Sequence, residues 1–293
     1  MNLFWRSKIR VCGFIIAVLF FHKALPGQYL EKIYTTPDYT QTDPAYGGFP
    51  GAGLNYCAPV SVSNSIMWFS DNGFPNLSSH TVDPKRDQFD VAKSLGADYM
   101  SAIDGTSANE LCKGVKNYVL DNGYAHNRLE YQGWRYIWNE FDTGVDVPDL
   151  DWIRDSIEGL GSVWLNVGWY AYSTATDTYT RFGGHWITLV GHGHDGSNAN
   201  TDYLIAHDPA PRAGTTFANE YILPVRIDSG TLTGSYSGLP RSAAGFYKMM
   251  DGMHIKSSAD FGILDGVVVL EMVPEPATIL LLGLGPVLLR KRR

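Results

Sequence analysis

Cysteine is scarce in this chain: 293 residues hold three, at Cys12, Cys57 and Cys112. That excludes a disulfide-rich scaffold, and a body of roughly 250 residues builds one sizeable core without staples. Metal-ligand spacing is missing too. His192 and His194 alternate, but no HExxH-type pattern or Cys/His set accompanies them, so they read as solvated loop residues. No metal or organic cofactor is expected. Internal repeats, heptads and long linkers are absent, which leaves one domain over residues 28–272. Positive charge is short as well. The two ends hold eight of the 23 Lys and Arg and none of the 30 Asp and Glu. Residues 28–276 therefore carry 15 basic against 30 acidic groups, a net charge of −15. Such a body repels nucleic acid and anionic polysaccharide.

Long apolar runs are also lacking, and the two short ones lie at the ends. Arg6, Lys8 and Arg10 precede an apolar stretch over 11–21, the pattern of a secretory signal peptide, with cleavage expected near Gly27. At the other end, Val273-Pro274-Glu275-Pro276 leads into a mostly apolar stretch that stops at Leu289, followed by Arg290-Lys291-Arg292-Arg293. The stretch is short for an independent span, which needs ~20 residues, and a basic end stays on the cytoplasmic side. Residues 273–293 resemble a PEP-CTERM sorting tail: a Pro-Glu-Pro signature, a short membrane segment with Gly283-Leu284-Gly285 and a basic terminus. The resemblance implies export across the inner membrane of a Gram-negative bacterium and transient membrane anchoring through the tail. It further implies processing by an exosortase, release to the cell surface or beyond, and an association with biofilm matrix.

Within the body, the cysteine with a chemical setting is Cys57. It opens Cys57-Ala58-Pro59-Val60-Ser61-Val62, where Pro sits in a first helical turn, Val62, Ile66, Met67 and Phe69 follow at helical spacing, and Asp71-Asn72-Gly73 ends the run. A helix start favours an anion, and the thiolate is the nucleophilic form of cysteine. About 130 and 150 residues later come a histidine and an aspartate in strand contexts. Gly183-Gly184-His185-Trp186-Ile187-Thr188 starts one strand, and Tyr203-Leu204-Ile205-Ala206-His207-Asp208-Pro209 ends another. A Gly/Asn/Ser/Asp-rich loop joins them, so an antiparallel hairpin is expected. Pairing Gly191 with Asp202 places His185 directly opposite Asp208, a carboxylate orienting an imidazole. His207 points to the other face. The remaining reading is an oxidised Cys57–Cys112 pair, which the oxidising compartment invites.

These residues resemble the papain-like cysteine peptidases of the bacteriocin-processing (double-glycine leader) type. The matching motifs are Cys57-Ala58-Pro59, Gly184-His185-Trp186 and Asp208-Pro209, with Asp104-Gly105-Thr106 before a helix and the strand Val163-Trp164-Leu165-Asn166-Val167-Gly168-Trp169. The resemblance spans roughly residues 50–215. It implies a papain-like fold and a Cys57, His185, Asp208 triad that acts on a peptide or protein substrate. One position departs from the pattern: the oxyanion Gln expected about six residues before the cysteine is Gly51. Asn55 is the expected replacement donor, with Gln41 as the alternative if the glycine-rich lead-in folds back.

Around these motifs the chain reads as helices first and strands later. A lead-in over 36–53, rich in Gly, Pro, Thr and Tyr, drapes over the domain, and Tyr34, Tyr39 and Tyr46 read as packing residues. A loop runs to about Gln88, and a short helix is expected over 90–100. Ser107-Ala108-Asn109-Glu110 is a capping box for a helix through Leu111, Val115 and Val119, and Asp149 caps another through Trp152, Ile153 and Ile157. Strands are expected over 162–170, 185–191, 203–207, 221–227, 246–250 and 267–272. The expectation is an α+β domain, N-terminal helices packed on a C-terminal antiparallel sheet. Trp164, Trp169, Tyr170 and Trp186 either fill the core or line a substrate groove. The functional expectation is an exported cysteine hydrolase, a peptidase or an amidase. The alternative is a catalytically inactive, peptidase-like binding or structural protein of the biofilm matrix.

Overall fold

A computed structural model describes residues 28–193, 203–210, 219–234, 239–250 and 255–273. The expected signal peptide, the sorting tail beyond Val273 and His194 lie outside them. No helix among the described residues is long and apolar enough to cross a membrane.

The described residues form an α+β domain with helices α1 (Cys57–Asp71), α2 (Pro84–Ser94), α3 (Ala108–Asp121) and α4 (Leu150–Ile157). Local chemistry sets their starts. Ser107 and Glu110 complete the capping box of α3, and the Asp149 carboxylate accepts from the N–H groups of Asp151 and Trp152 to start α4. The second helix starts earlier than expected. Asp83 caps it through the Arg86 N–H, and Pro84 takes the first helical position, where its missing N–H costs nothing. Residues 95–99, expected as the end of this helix, widen instead into a π-turn.

Nine strands follow: β1 (His126–Gly133), β2 (Gly161–Ser173), β3 (Thr178–Gly193), β4 (Tyr203–His207), β5 (Glu220–Arg226), β6 (Thr231–Thr233), β7 (Arg241–Ser242), β8 (Tyr247–Met250) and β9 (Phe261–Met272). The sheet is mixed rather than antiparallel, because β6 runs parallel to β3; the other pairings are antiparallel. Nor is it confined to the C-terminal part. β1 lies between α3 and α4 in sequence, carries polar residues on much of its length, and pairs with β9.

The pairings β2–β3, β3–β4, β4–β5, β5–β8, β8–β9 and β9–β2 close on themselves into a six-strand ring. Alternate residues point into it: Val163, Leu165, Val167, Ile187, Leu189, Leu204, Ala206, Ile222, Met249, Leu264, Val267 and Val269 form one buried cluster with Ile153 and Ile157 of α4. The opposite face carries Trp164, Trp186, Val268 and Leu270, which pack against Ala58, Val62 and Ile66 of α1 and Leu111 and Val115 of α3. Trp164 and Trp186 are therefore core residues. Burying such side chains contributes roughly 1.5–3 kcal/mol each.

Polar pins set the depth and direction of α1. Ser65 Oγ accepts from Ser162 Oγ at 2.5 Å, Ser61 Oγ donates to the Trp186 carbonyl at 2.8 Å, and the Ser61 carbonyl accepts from Thr188 Oγ1 and Trp164 Nε1. Four helical residues rise ~6 Å and two strand residues span ~6.6 Å, so α1 steps along the sheet in register. Ser65 stands at the level of Ser162, and Ser61 at that of Trp164 and its partner Thr188. Four residues further, Cys57 reaches the level of Asn166 and Val167, opposite Trp186 and His185.

Candidate active site

Cys57 is the first residue of α1, partly exposed and free, with Tyr56 before it and no side-chain cap on the helix. Pro59 has no N–H, and the Val60 N–H is bonded to the Tyr56 carbonyl. The first-turn N–H groups of Cys57 and Ala58 therefore face the space in front of the thiol. Cys112 sits inside α3, free and fully buried, and burial pushes its thiol well up. The two cysteines are not bridged.

His185 is buried on β3, and its Nε2 donates to Asp208 Oδ1 at 2.5 Å. The hairpin that unites them differs from the expected one. The β3–β4 ladder pairs Thr188 with His207 and Leu189 with Ala206, then slips at a bulge so that Gly191 faces Ile205. Gly191 does not pair with Asp202, and Asp208 lies one residue past the last strand pair. The ladder is two residues off the expected register at Thr188 and Leu189, and the extra residue at Val190 makes it three at Gly191. Continuing the ladder puts Asp208 on the same face as Ile187 and His185, and it reaches the imidazole diagonally. Asp208 is held in turn: its Oδ1 accepts from the Ala210 N–H at 2.8 Å, and its own N–H donates to Glu220 Oε2 at 3.2 Å.

Burial by itself lowers the His185 pKa. The Asp208 charge, the hydrogen bond to Asp208 and the nearby Cys57 thiol outweigh it and raise the value to about 10. The imidazole is thus bonded to the carboxylate with the thiol close by, and it holds a proton at neutral pH. Trp169 covers its face, with ring centroids 5.6 Å apart and planes 17° from parallel. Of the four aromatic residues singled out in the sequence, Trp169 is the one at the site; Tyr170 is buried and donates to Asp265.

The other histidines separate cleanly. His207 bonds through Nδ1 to the Pro37 carbonyl and through Nε2 to Asn219 Oδ1. His192, expected in solvent, is buried in β3 against Tyr29, because the ladder extends two residues past Gly191. No group of three or more His, Cys, Asp or Glu side chains among the described residues could hold a metal ion.

The lead-in folds back as a strap, and it carries a residue whose role the sequence reading had only half seen. Tyr29 pairs with His192, the Tyr39 N–H donates to Asn64 Oδ1 on α1, and the Gln41 N–H donates to the Pro209 carbonyl beside Asp208. Gln41 is buried and directs its Nε2 to the carbonyls of Gly53 at 2.8 Å and Leu54 at 3.2 Å. Both amide hydrogens are used there, so Gln41 positions the loop before Cys57 and has none left for an oxyanion. Gly53 is required at that contact: its φ is +77°, and a Cβ would collide with the Gln41 carbonyl. Asn55 Nδ2 donates to the Ile103 carbonyl at 2.6 Å, which leaves one amide hydrogen. Ile103 belongs to the loop whose Thr106 carbonyl accepts from Trp186 Nε1. The Asp104-Gly105-Thr106 segment thus packs beside the site.

No protein-family model matches the chain, and no curated protein gives a significant match. The chemistry therefore rests on the arrangement itself. A free, partly exposed thiol at an uncapped helix start, close to a buried imidazole that is bonded to a buried carboxylate, suits nucleophilic attack followed by proton return.

Proposed function

We propose that the protein is a cysteine hydrolase with a papain-like fold, acting on a peptide or related amide bond. The observation that carries this reading is His185, hydrogen-bonded to Asp208 and close enough to Cys57 for the thiol to help raise its pKa. Cys57 Sγ attacks the carbonyl carbon. The oxyanion faces the Cys57 N–H and the remaining amide hydrogen of Asn55. Protonated His185 then gives its proton to the departing amine nitrogen, which leaves a thioester. Water, deprotonated by His185, attacks the thioester carbonyl, and the thiol is restored with release of the acid. Asp208 keeps the imidazole oriented throughout.

The same proposal places the mature domain outside the inner membrane of a Gram-negative bacterium, delivered by the N-terminal signal and held by the tail until an exosortase removes it. The rival reading, a non-catalytic matrix or binding protein, rests on Gly51 standing where an oxyanion Gln is expected. Labelling of the full chain with iodoacetamide at mildly acidic pH, read by peptide mass, separates the two. Alkylation of Cys57 well above the rate of a model thiol, lost in His185→Ala, supports the hydrolase. A Cys57 that reacts no faster than a model thiol, or that is cross-linked to Cys112, rejects it.

A further inference from the structure

The strip of β3 just before His185 is Gly183-Gly184, both partly exposed, and Cys57 stands beside that histidine. Arg181 lies along this strip. Its Nη2 occupies the space a Cβ at Gly184 would need, and its Nε donates to Asp265 Oδ2 at 2.5 Å. Gly168, directly opposite Gly184, likewise makes room for the Asp265 carboxylate. Asp265 is fully buried and already accepts from Trp134 Nε1 and Tyr170 Oη, so it has three donors for its two oxygens. Arg181 makes one hydrogen bond among the described residues, through Nε, which leaves the outer edge of its guanidinium for another acceptor. Arg135 donates through Nη1 to the carbonyl of Gly234 at 3.2 Å, and Gly234 packs against Arg181, so a second guanidinium stands near the first. Of the two, Arg181 is the one paired with the Asp265 carboxylate. Lys256 adds a third cation close by, 5.7 Å from the Trp169 ring and 6.0 Å from that of Phe182. In a body with 15 basic and 30 acidic residues, this local excess of positive charge is out of character.

Resting on the hydrolase reading, we propose that Arg181 and Arg135 form a subsite for a carboxylate carried by the substrate next to its reacting carbonyl. The glycine strip lets the substrate backbone lie close to the strand, and the outer edge of Arg181 takes the carboxylate in a charge-assisted, fork-like contact. A side-chain carboxylate and a chain-terminal one share this chemistry.

The test compares alkylation of Cys57 in the full chain by iodoacetate and by iodoacetamide, which differ in the carboxylate. The expected result is saturable, preferential reaction with iodoacetate at low ionic strength. The iodoacetate-to-iodoacetamide ratio should fall about tenfold in Arg181→Gln/Asp265→Asn, where the buried acid is neutralised together with its partner, and about threefold in the more exposed Arg135→Gln. Arg128→Gln, on β1 beside Ser156, should hold the ratio. N-acetylglutamate α-amide and N-acetylalanine then serve as protectants. Whichever slows iodoacetamide labelling identifies the source as side-chain or terminal, and protection by neither overturns the subsite. A ratio unmoved in both arginine variants also overturns it while leaving the hydrolase reading intact. Iodoacetamide reacting no faster than with a model thiol removes both.

Discussion

Two buried basic side chains, at opposite ends of α1, illustrate what a charge partner does. His185, near the start of the helix, has Asp208 beside it, and its pKa rises to about 10. Lys32, in the strap, is equally buried but meets backbone carbonyls and rings. Its Nζ donates to the Ile157 and Gly161 carbonyls after α4 and stands 4.1 Å from the Trp68 ring centroid. Burial lowers its pKa to about 7, and the Glu31 charge offsets only part of that. A carboxylate makes a buried cation keep its proton, while dipoles and a π-face do not. The first arrangement serves a proton donor in chemistry. The second closes a helix end and lines a small cavity with Ser65, Ser162 and Leu189.

The largest effect should come from removing the base. His185→Ala is expected to lower turnover, or thiol alkylation at mildly acidic pH, by roughly 10⁴-fold. Removing the partner alone is a sharper test. Asp208→Asn should cost about 10²–10⁴-fold and move the alkaline limb of the pH–rate profile, set near pH 10 by His185, to lower pH. If that limb stays in place, Asp208 is not what holds the proton.

How much of this was legible in the sequence depends on the range of the interaction involved. The start of α1 at Cys57, the capping box at Ser107 and the limits of β4 are written in neighbouring residues and were read correctly. That His185 and Asp208 would meet was also readable, because a turn-rich loop joins the strands that carry them, although β3 begins at Thr178 and not at His185. The path by which they meet was not. The Val190 bulge depends on how β3 must serve both β2 and β4, and nothing in the intervening turn residues encodes it. β1 was missed because its polar half faces solvent and its partner, β9, lies about 140 residues away. Gln41 was noticed as an amide donor, but its use on Gly53 and Leu54 follows from where the strap crosses the domain.

The strap supplies the next test. Gln41→Ala leaves two carbonyls near the thiol without their donor, and should lower stability by about 1–3 kcal/mol with a smaller loss of turnover. Urea unfolding and kinetics on the same preparation separate the two effects.

The last effect bears directly on the two basic groups. His185 binds its proton more tightly in the folded chain than its ordinary 6.5 allows. Its contribution is complete below pH ~6.5 and is lost as pH rises through about 10. Lys32 behaves in the opposite sense. Between about pH 7 and its ordinary 10.5 the unfolded chain holds the extra proton, so stability grows as pH rises across that window. The two slopes oppose each other from pH 7 to 10, each limited to ~1.4 kcal/mol per pH unit. Relative to the parent, the urea midpoint of His185→Ala should rise with pH in this range, and that of Lys32→Met should fall. Parallel curves for both variants would mean that the two environments do not differ as described.

The position of β9 has a consequence for the timing of assembly. The last strand in the described chain lies between β1 and β2 and also joins β8, so three earlier strands wait for it. Cys57 emerges more than 120 residues before His185, and the ring that fixes His185 closes when residues 261–272 arrive. Until then, the thiol has no base held beside it. Any cut that removes β9 leaves the ring open. On the hydrolase reading, the Cys-His pair is a property of the finished chain.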